Sequence, residues 1–103
     1  MTRNERLALA MMLLVFMSPL VGGCSKPPQM PADGRNLIGS LRTAVSAKRK
    51  DWLDENAKLI EKKHSDGKLS DEQFAEFESI VAEARNGDWA AAETEVIRLE
   101  QAQ

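Results

Sequence analysis

Few side chains in this 103-residue sequence could do chemistry. They are one thiol, Cys24, one imidazole, His64, carboxylates at Asp54-Glu55, Glu76 and Glu78, and Glu93 and Glu95, a cationic run, Lys48-Arg49-Lys50, and two indoles, Trp52 and Trp89. Nucleophilic catalysis needs a hydroxyl or thiol beside a base, and a third group that orients the base. No such set stands around Cys24 or any serine. His64 follows Lys62 and Lys63 at an expected helix end, where a cation meets the negative end of the helix dipole. The carboxylates scatter over polar positions and read as solvated charge, not as an acid/base couple. The chain is therefore not expected to be an enzyme, and no metal or other cofactor is assigned to it. Lys48-Arg49-Lys50 suits anionic headgroups or wall polymers, but equally a solvated face. Trp52 and Trp89 are expected to pack in or partly in the core, and are the candidate partner-binding anchors if exposed.

Cys24 is explained by what precedes it. Arg3 and Arg6 open the chain, Leu7 to Met17 is an unbroken apolar run, and Ser18-Pro19 ends it. A transmembrane helix needs roughly 20 apolar residues, so this run reads as the core of a secretory signal. The stretch Leu20-Val21-Gly22-Gly23-Cys24 then resembles the lipobox of bacterial lipoproteins. That resemblance implies diacylglyceryl attachment to the Cys24 sulfur, cleavage after Gly23, and acylation of the new amino terminus. Two or more chains anchor stably, since each buried methylene contributes about 0.8 kcal/mol and one chain alone is reversible. Ser25, a residue other than Asp after the cysteine, resembles the outer-membrane sorting pattern of Gram-negative lipoproteins, facing either the periplasm or the surface. An uncleaved anchor and ordinary signal cleavage are the alternatives.

Cleavage there leaves residues 24–103, with 12 basic and 15 acidic side chains and so a net charge of −3. This weak acidity argues against nucleic acid as a partner, because phosphate binding needs a concentrated cationic face. A lone, lipidated cysteine forms no disulfide. The three expected parts are the signal peptide (1–23), a lipidated cysteine with a proline-rich tether (24–35), and a small α-helical domain (36–103). The prolines at 27, 28 and 31 give the tether a reach of roughly 30 Å at about 3.1 Å per residue.

The fold class expected is all-α: a long first helix plus a helical hairpin, a small three-helix bundle. Leu37, Leu41, Ala44 and Val45 recur at helical spacing, and Trp52, Leu53, Ala57, Leu59 and Ile60 resume the stripe after Ala47-Lys48-Arg49-Lys50 interrupts it. If continuous, this helix is about 43 Å long and its first half protrudes. A break near Asp51 is the alternative. Asp66-Gly67 ends the span. Ser70 and Gln73 then make a capping box, with Leu69 and Phe74 placed for a hydrophobic staple. Phe74, Phe77, Val81 and Ala84 form the next buried face, Asn86-Gly87 stops it, and Asp88 caps a helix carrying Trp89, Ala92, Val96 and Leu99. No internal repeat is evident.

Three local resemblances bear on function. Asp66 to Phe74 resembles the second half of an EF-hand loop, but alignment on Gly67 puts Lys62, His64, Asp66 and Gln73 where calcium needs carboxylate oxygens. The same run is similar to the short helical SHOCT modules of bacterial membrane proteins. Ala84 to Ala92 resembles the turn of a tetratricopeptide repeat, which implies protein or peptide binding within one hairpin, residues 70–101. Together these readings give a small envelope lipoprotein held to membrane lipid through Cys24 and acting as a non-catalytic binding module for an envelope protein. A structural or self-associating spacer is the alternative, and a metal-binding helix-loop-helix sensor a remote one.

Overall fold

Apolar residues recurring every three or four positions, punctuated by three short turns, build four helices. A computed structural model describes residues 26–103, so Cys24 and the cleavage-site residues Leu20, Val21, Gly22 and Gly23 lie outside the described residues. The helices are α1 (Ala32–Ser46), α2 (Lys50–Ser65), α3 (Asp71–Arg85) and α4 (Trp89–Gln101). Short turns make consecutive helices antiparallel neighbours, and α1 also packs on α4, closing the ring. The core holds Ile38, Leu41 and Val45 of α1, Leu53 and Ile60 of α2, Phe77, Ile80 and Val81 of α3, and Val96 and Leu99 of α4, all fully buried. Burying each such side chain contributes about 2 kcal/mol, which opposes the entropy of ordering the chain.

The all-helical expectation holds, with one correction to the helix count. The long first helix is two helices, and α1 does not protrude: its whole apolar face, from Leu37 to Val45, lies in the core. The break is at Lys48, whose φ of 53° is left-handed. There the Lys48 N–H donates to Val45 O and the Arg49 N–H to Ala44 O. This paired bonding satisfies carbonyls left open by a helix end and reverses the chain. The same pairs recur at the other two turns, where the Gly67 and Lys68 N–H groups donate to His64 O and Lys63 O, and the Gly87 and Asp88 N–H groups to Ala84 O and Glu83 O. Helix α2 starts from Arg49, which provides no side-chain cap, so Asp51 sits inside the first turn and is not the cap.

The structure also contains a repeat that residue identities hide. Helices α1 and α3 span 32–46 and 71–85, an offset of 39 residues. The same offset relates Met30 to Leu69, Ile38 to Phe77, Leu41 to Ile80, Val45 to Ala84, Leu53 to Ala92, Ala57 to Val96 and Ile60 to Leu99, every one of them buried. It also relates the left-handed Lys48 to Gly87. The fold is thus two like hairpins packed together, the second of them formed by Asp71–Arg85 and Trp89–Gln101.

Helix α3 is capped as the pattern requires. The Gln73 N–H donates to Ser70 Oγ at 3.1 Å and the Ser70 N–H to Gln73 Oε1 at 2.8 Å. Leu69 is buried beside it, with Phe74 packed against the core. Gln73 then reaches further, its Nε2 donating to Gln29 O at 2.7 Å.

That contact belongs to a strap. The Met30 N–H donates to Gln103 Oε1 at 2.7 Å, Gln103 Nε2 donates to Pro28 O at 3.2 Å, and Gln29 Nε2 donates to Ala102 O. Met30 is buried with the core. The helix begins after Pro31, at Ala32. Residues 28–35 are therefore part of the folded head and not free tether.

Candidate functional site

The first turn determines what its neighbours do. Arg49, at the start of α2, donates from Nε to Asp51 Oδ1 at 2.9 Å and from Nη2 to Asp51 Oδ2 at 2.7 Å. This fork holds the Asp51 carboxyl below its ordinary range and raises the guanidinium further. Both side chains are exposed to solvent, so the pair adds little stability. Its consequence is geometric: the Arg49 guanidinium carbon lies over the Trp52 ring, 4.4 Å from the centroid. Trp52 is 37 % exposed, and this cation–π contact holds the indole in place.

Trp52 forms one wall of a groove of about 320 Å³ between α1 and α2, completed by Ser40, Thr43, Glu55 and Asn56. Asn56 occupies a core-stripe position, one turn from Leu53 and Ile60, and is 7 % exposed. Its Nδ2 donates to Trp52 O at 2.8 Å, while its Oδ1 is closed off from solvent without a partner. Thr43 Oγ1 donates to Gly39 O at 3.0 Å, which leaves its lone pairs as acceptors. The groove therefore offers part of the Trp52 indole with the Ser40 and Thr43 hydroxyls and the Glu55 carboxylate around it, while Asn56 Oδ1 is itself enclosed.

The other residues singled out in the sequence are dispersed. Trp89 opens α4 half-buried against the core, away from the groove's lining. His64 stacks on Phe74, with ring centroids 4.1 Å apart and an interplanar angle of 6°, and its Nε2 lies 2.7 Å from Asp71 Oδ1. Gln73 is occupied by the cap and the strap. Gly67, at φ 77°, makes the turn that the EF-hand likeness reflects. Among the described residues no group of three or more His, Cys, Asp or Glu is placed to hold a metal ion. In the run Lys48-Arg49-Lys50 all three side chains are exposed, with Lys48 making the turn and Arg49 paired to Asp51.

A second depression, about 340 Å³, lies where Pro27 and Pro28 cross α3 and α4. Its acidic side holds Glu76, whose carboxyl is pushed up by burial and then by Glu95. Glu83, further along α3, is raised by burial, Glu95 and Asp88, and its Oε2 is enclosed without a partner.

Sequence reasoning passed over Asn56, Ser40 and Thr43. A signal for Asn56 was present: a carboxamide on the apolar stripe of Leu53, Ala57 and Ile60 is a buried polar group that needs an explanation. Ser40 and Thr43 had none, because only the α1–α2 packing brings them to Trp52. Comparison with protein-family models, curated proteins and solved structures gives no match to this chain. No helix among the described residues is long and apolar enough to cross a membrane.

Proposed function

We propose that this chain is a lipid-anchored protein of the bacterial envelope, sorted to the outer membrane, whose four-helix head is a non-catalytic binding module. The anchor rests on the lipobox-like run ending at Cys24, and the sorting on Ser25. The observation that carries the binding reading is Trp52, partly exposed and held by Arg49 beside a groove of about 320 Å³. Aromatic side chains carry much of the binding energy at protein contacts. With residues from 28 onward clasped to the head and Pro27 lying against α3 and α4, little chain is left between Cys24 and the head. The head then works close to the bilayer.

Co-purification from crosslinked envelopes tests this reading. A component recovered with wild type and lost with Trp52→Ala supports it, and recovery of the chain alone with both rejects it. Leu59, 43 % exposed and two turns beyond Trp52 on α2, favours self-association as a second reading. Sedimentation of the full-length chain as a strict monomer at high concentration removes that alternative.

A further inference from the structure

We infer that the cleft where the strap lies is a peptide-binding site closed by its own chain, and that its ligand in trans is an extended, basic, proline-containing segment of another protein. The cleft shares no lining residue with the groove at Trp52, so it goes beyond the binding reading above and stands apart from it. The head holds the strap as a receptor holds a peptide. Successive main-chain groups meet side-chain amides: Gln103 Nε2 donates to Pro28 O, Gln73 Nε2 donates to Gln29 O, and Gln103 Oε1 accepts the Met30 N–H. The Met30 side chain fills an apolar slot beside Gly34 and Leu69. Both amides are fixed by the head itself, Gln73 through the cap at Ser70 and Gln103 through a bond from Nε2 to Leu99 O at 3.0 Å. A site organised before its ligand arrives loses little freedom on binding.

The strap itself shows the chemistry of the ligand. The amides donate to two successive carbonyls, and a proline offers a carbonyl with no N–H to leave unpaired. One apolar side chain, in the place of Met30, enters the core. The strap is also an incomplete occupant, since a depression of about 340 Å³ remains beside Pro27 and Pro28. When the strap leaves, Lys26 goes with it, and this depression keeps the carboxylates of Glu72, Glu76 and Glu95 against the one guanidinium of Arg98. A long basic side chain next to the prolines fills the space and meets opposite charge. The strap can leave without unfolding a helix. Leu69, 39 residues after Met30, fills the matching buried position from inside the α2–α3 turn and is joined to a helix on both sides. Among the described residues Met30 is joined to a helix on one side only. Its release frees residues 25–31 as a tether of roughly 20 Å, so peptide binding and the distance of the head from its anchor are coupled.

The test titrates the full-length, ¹⁵N-labelled chain in detergent with a free, end-blocked peptide of residues 25–31, following the side-chain amide signals of Gln73 and Gln103 by NMR. In wild type the peptide competes with the chain's own strap, at an effective concentration on the order of millimolar, and weak binding is expected. Met30→Ala in the chain loosens the strap and leaves the cleft, and is expected to bind the peptide at least about tenfold tighter. Pro27→Gly/Pro28→Gly loosens the strap through chain entropy, changes no buried side chain and is expected to shift affinity the same way, which keeps the test intact if Met30→Ala loses its folded spectrum. Adding Gln103→Ala to either variant, or placing Met30→Ser or Lys26→Glu in the peptide, is expected to weaken binding at least about fivefold. No saturable shift in either strap variant at millimolar peptide, or equal affinity for the native and both altered peptides, overturns the inference. The Trp52-dependent crosslink decides the binding reading separately.

Discussion

Lys48 holds in the first turn the left-handed position that Gly87 holds in the third, 39 residues later, at φ 53° and 84° respectively. A side chain in that conformation costs about 1 kcal/mol, from the contact between Cβ and the following carbonyl. Glycine avoids this but loses more entropy on folding. The balance gives Lys48→Gly a gain of about 0.5 kcal/mol, or roughly 2–4 °C in Tm for a domain of this size. Gly87→Ala is expected to lose about 1 kcal/mol. Urea unfolding of both variants checks this, and a destabilised Lys48→Gly would show that Lys48 makes contacts outweighing its strain.

The same residue explains why one turn was hard to read in the sequence. Asn86-Gly87 and the Ser70–Gln73 box are local signals, complete within four residues, and both appear as the pattern requires. The first turn places a lysine where glycine is expected and an arginine at a cap position that favours Ser, Thr, Asp or Asn, so the stripe is interrupted but no stop signal appears. The strap and the groove depend on residues distant in sequence. Gln103 meets Pro28 and Met30 across more than seventy residues, and Ser40 meets Trp52 only through helix packing. The 39-residue offset preserves the helix starts and many of the buried positions but few residue types, which conceals it from inspection of residue identities.

The strap predicts separable effects at Gln73. Gln73→Glu keeps an oxygen for the Ser70 N–H but replaces the donor to Gln29 O with a second acceptor. Hydrogen exchange should show α3 still protected while Met30 exchanges faster. Gln103→Ala removes the bonds to both Pro28 and Met30 and is expected to cost about 1 kcal/mol, with the same exchange signature. Unchanged Met30 protection in both variants would mean that residues 28–31 do not depend on these amides.

Gly34 admits the strap. A Cβ there would lie 3.0 Å from Met30 Cβ, 3.2 Å from its sulfur and 3.3 Å from Leu69 Cδ2. Gly34→Ala improves helix propensity by about 1 kcal/mol but must displace Met30, so faster exchange at Met30 with little net change in stability is expected. Met30→Ala, which empties the buried position, is expected to lose about 2–3 kcal/mol by denaturant unfolding.

Glu83 should make neutral pH unfavourable. Burial, Glu95 and Asp88 raise its carboxyl, as burial and Glu95 raise that of Glu76. An acid raised in the folded state binds more protons folded than unfolded between its two pKa values, so stability falls as pH rises through that window. The penalty is absent below the ordinary Glu value of 4.5 and complete above the folded value. Glu83→Gln is therefore expected to raise Tm at pH 7, by a margin that shrinks towards zero near pH 4. A lower Tm at pH 7, or a margin independent of pH, would contradict this.

The central claim, a helical head held to a membrane through Cys24, is tested most directly by the intact mass and membrane partitioning of wild type beside Cys24→Ala. The account predicts a wild-type chain that begins at residue 24, carries the added mass of acyl chains and sediments with membranes, and a Cys24→Ala chain that lacks the acyl mass and is not cut before residue 24. Wild type without added mass, or cut elsewhere and distributed like the variant, would contradict it.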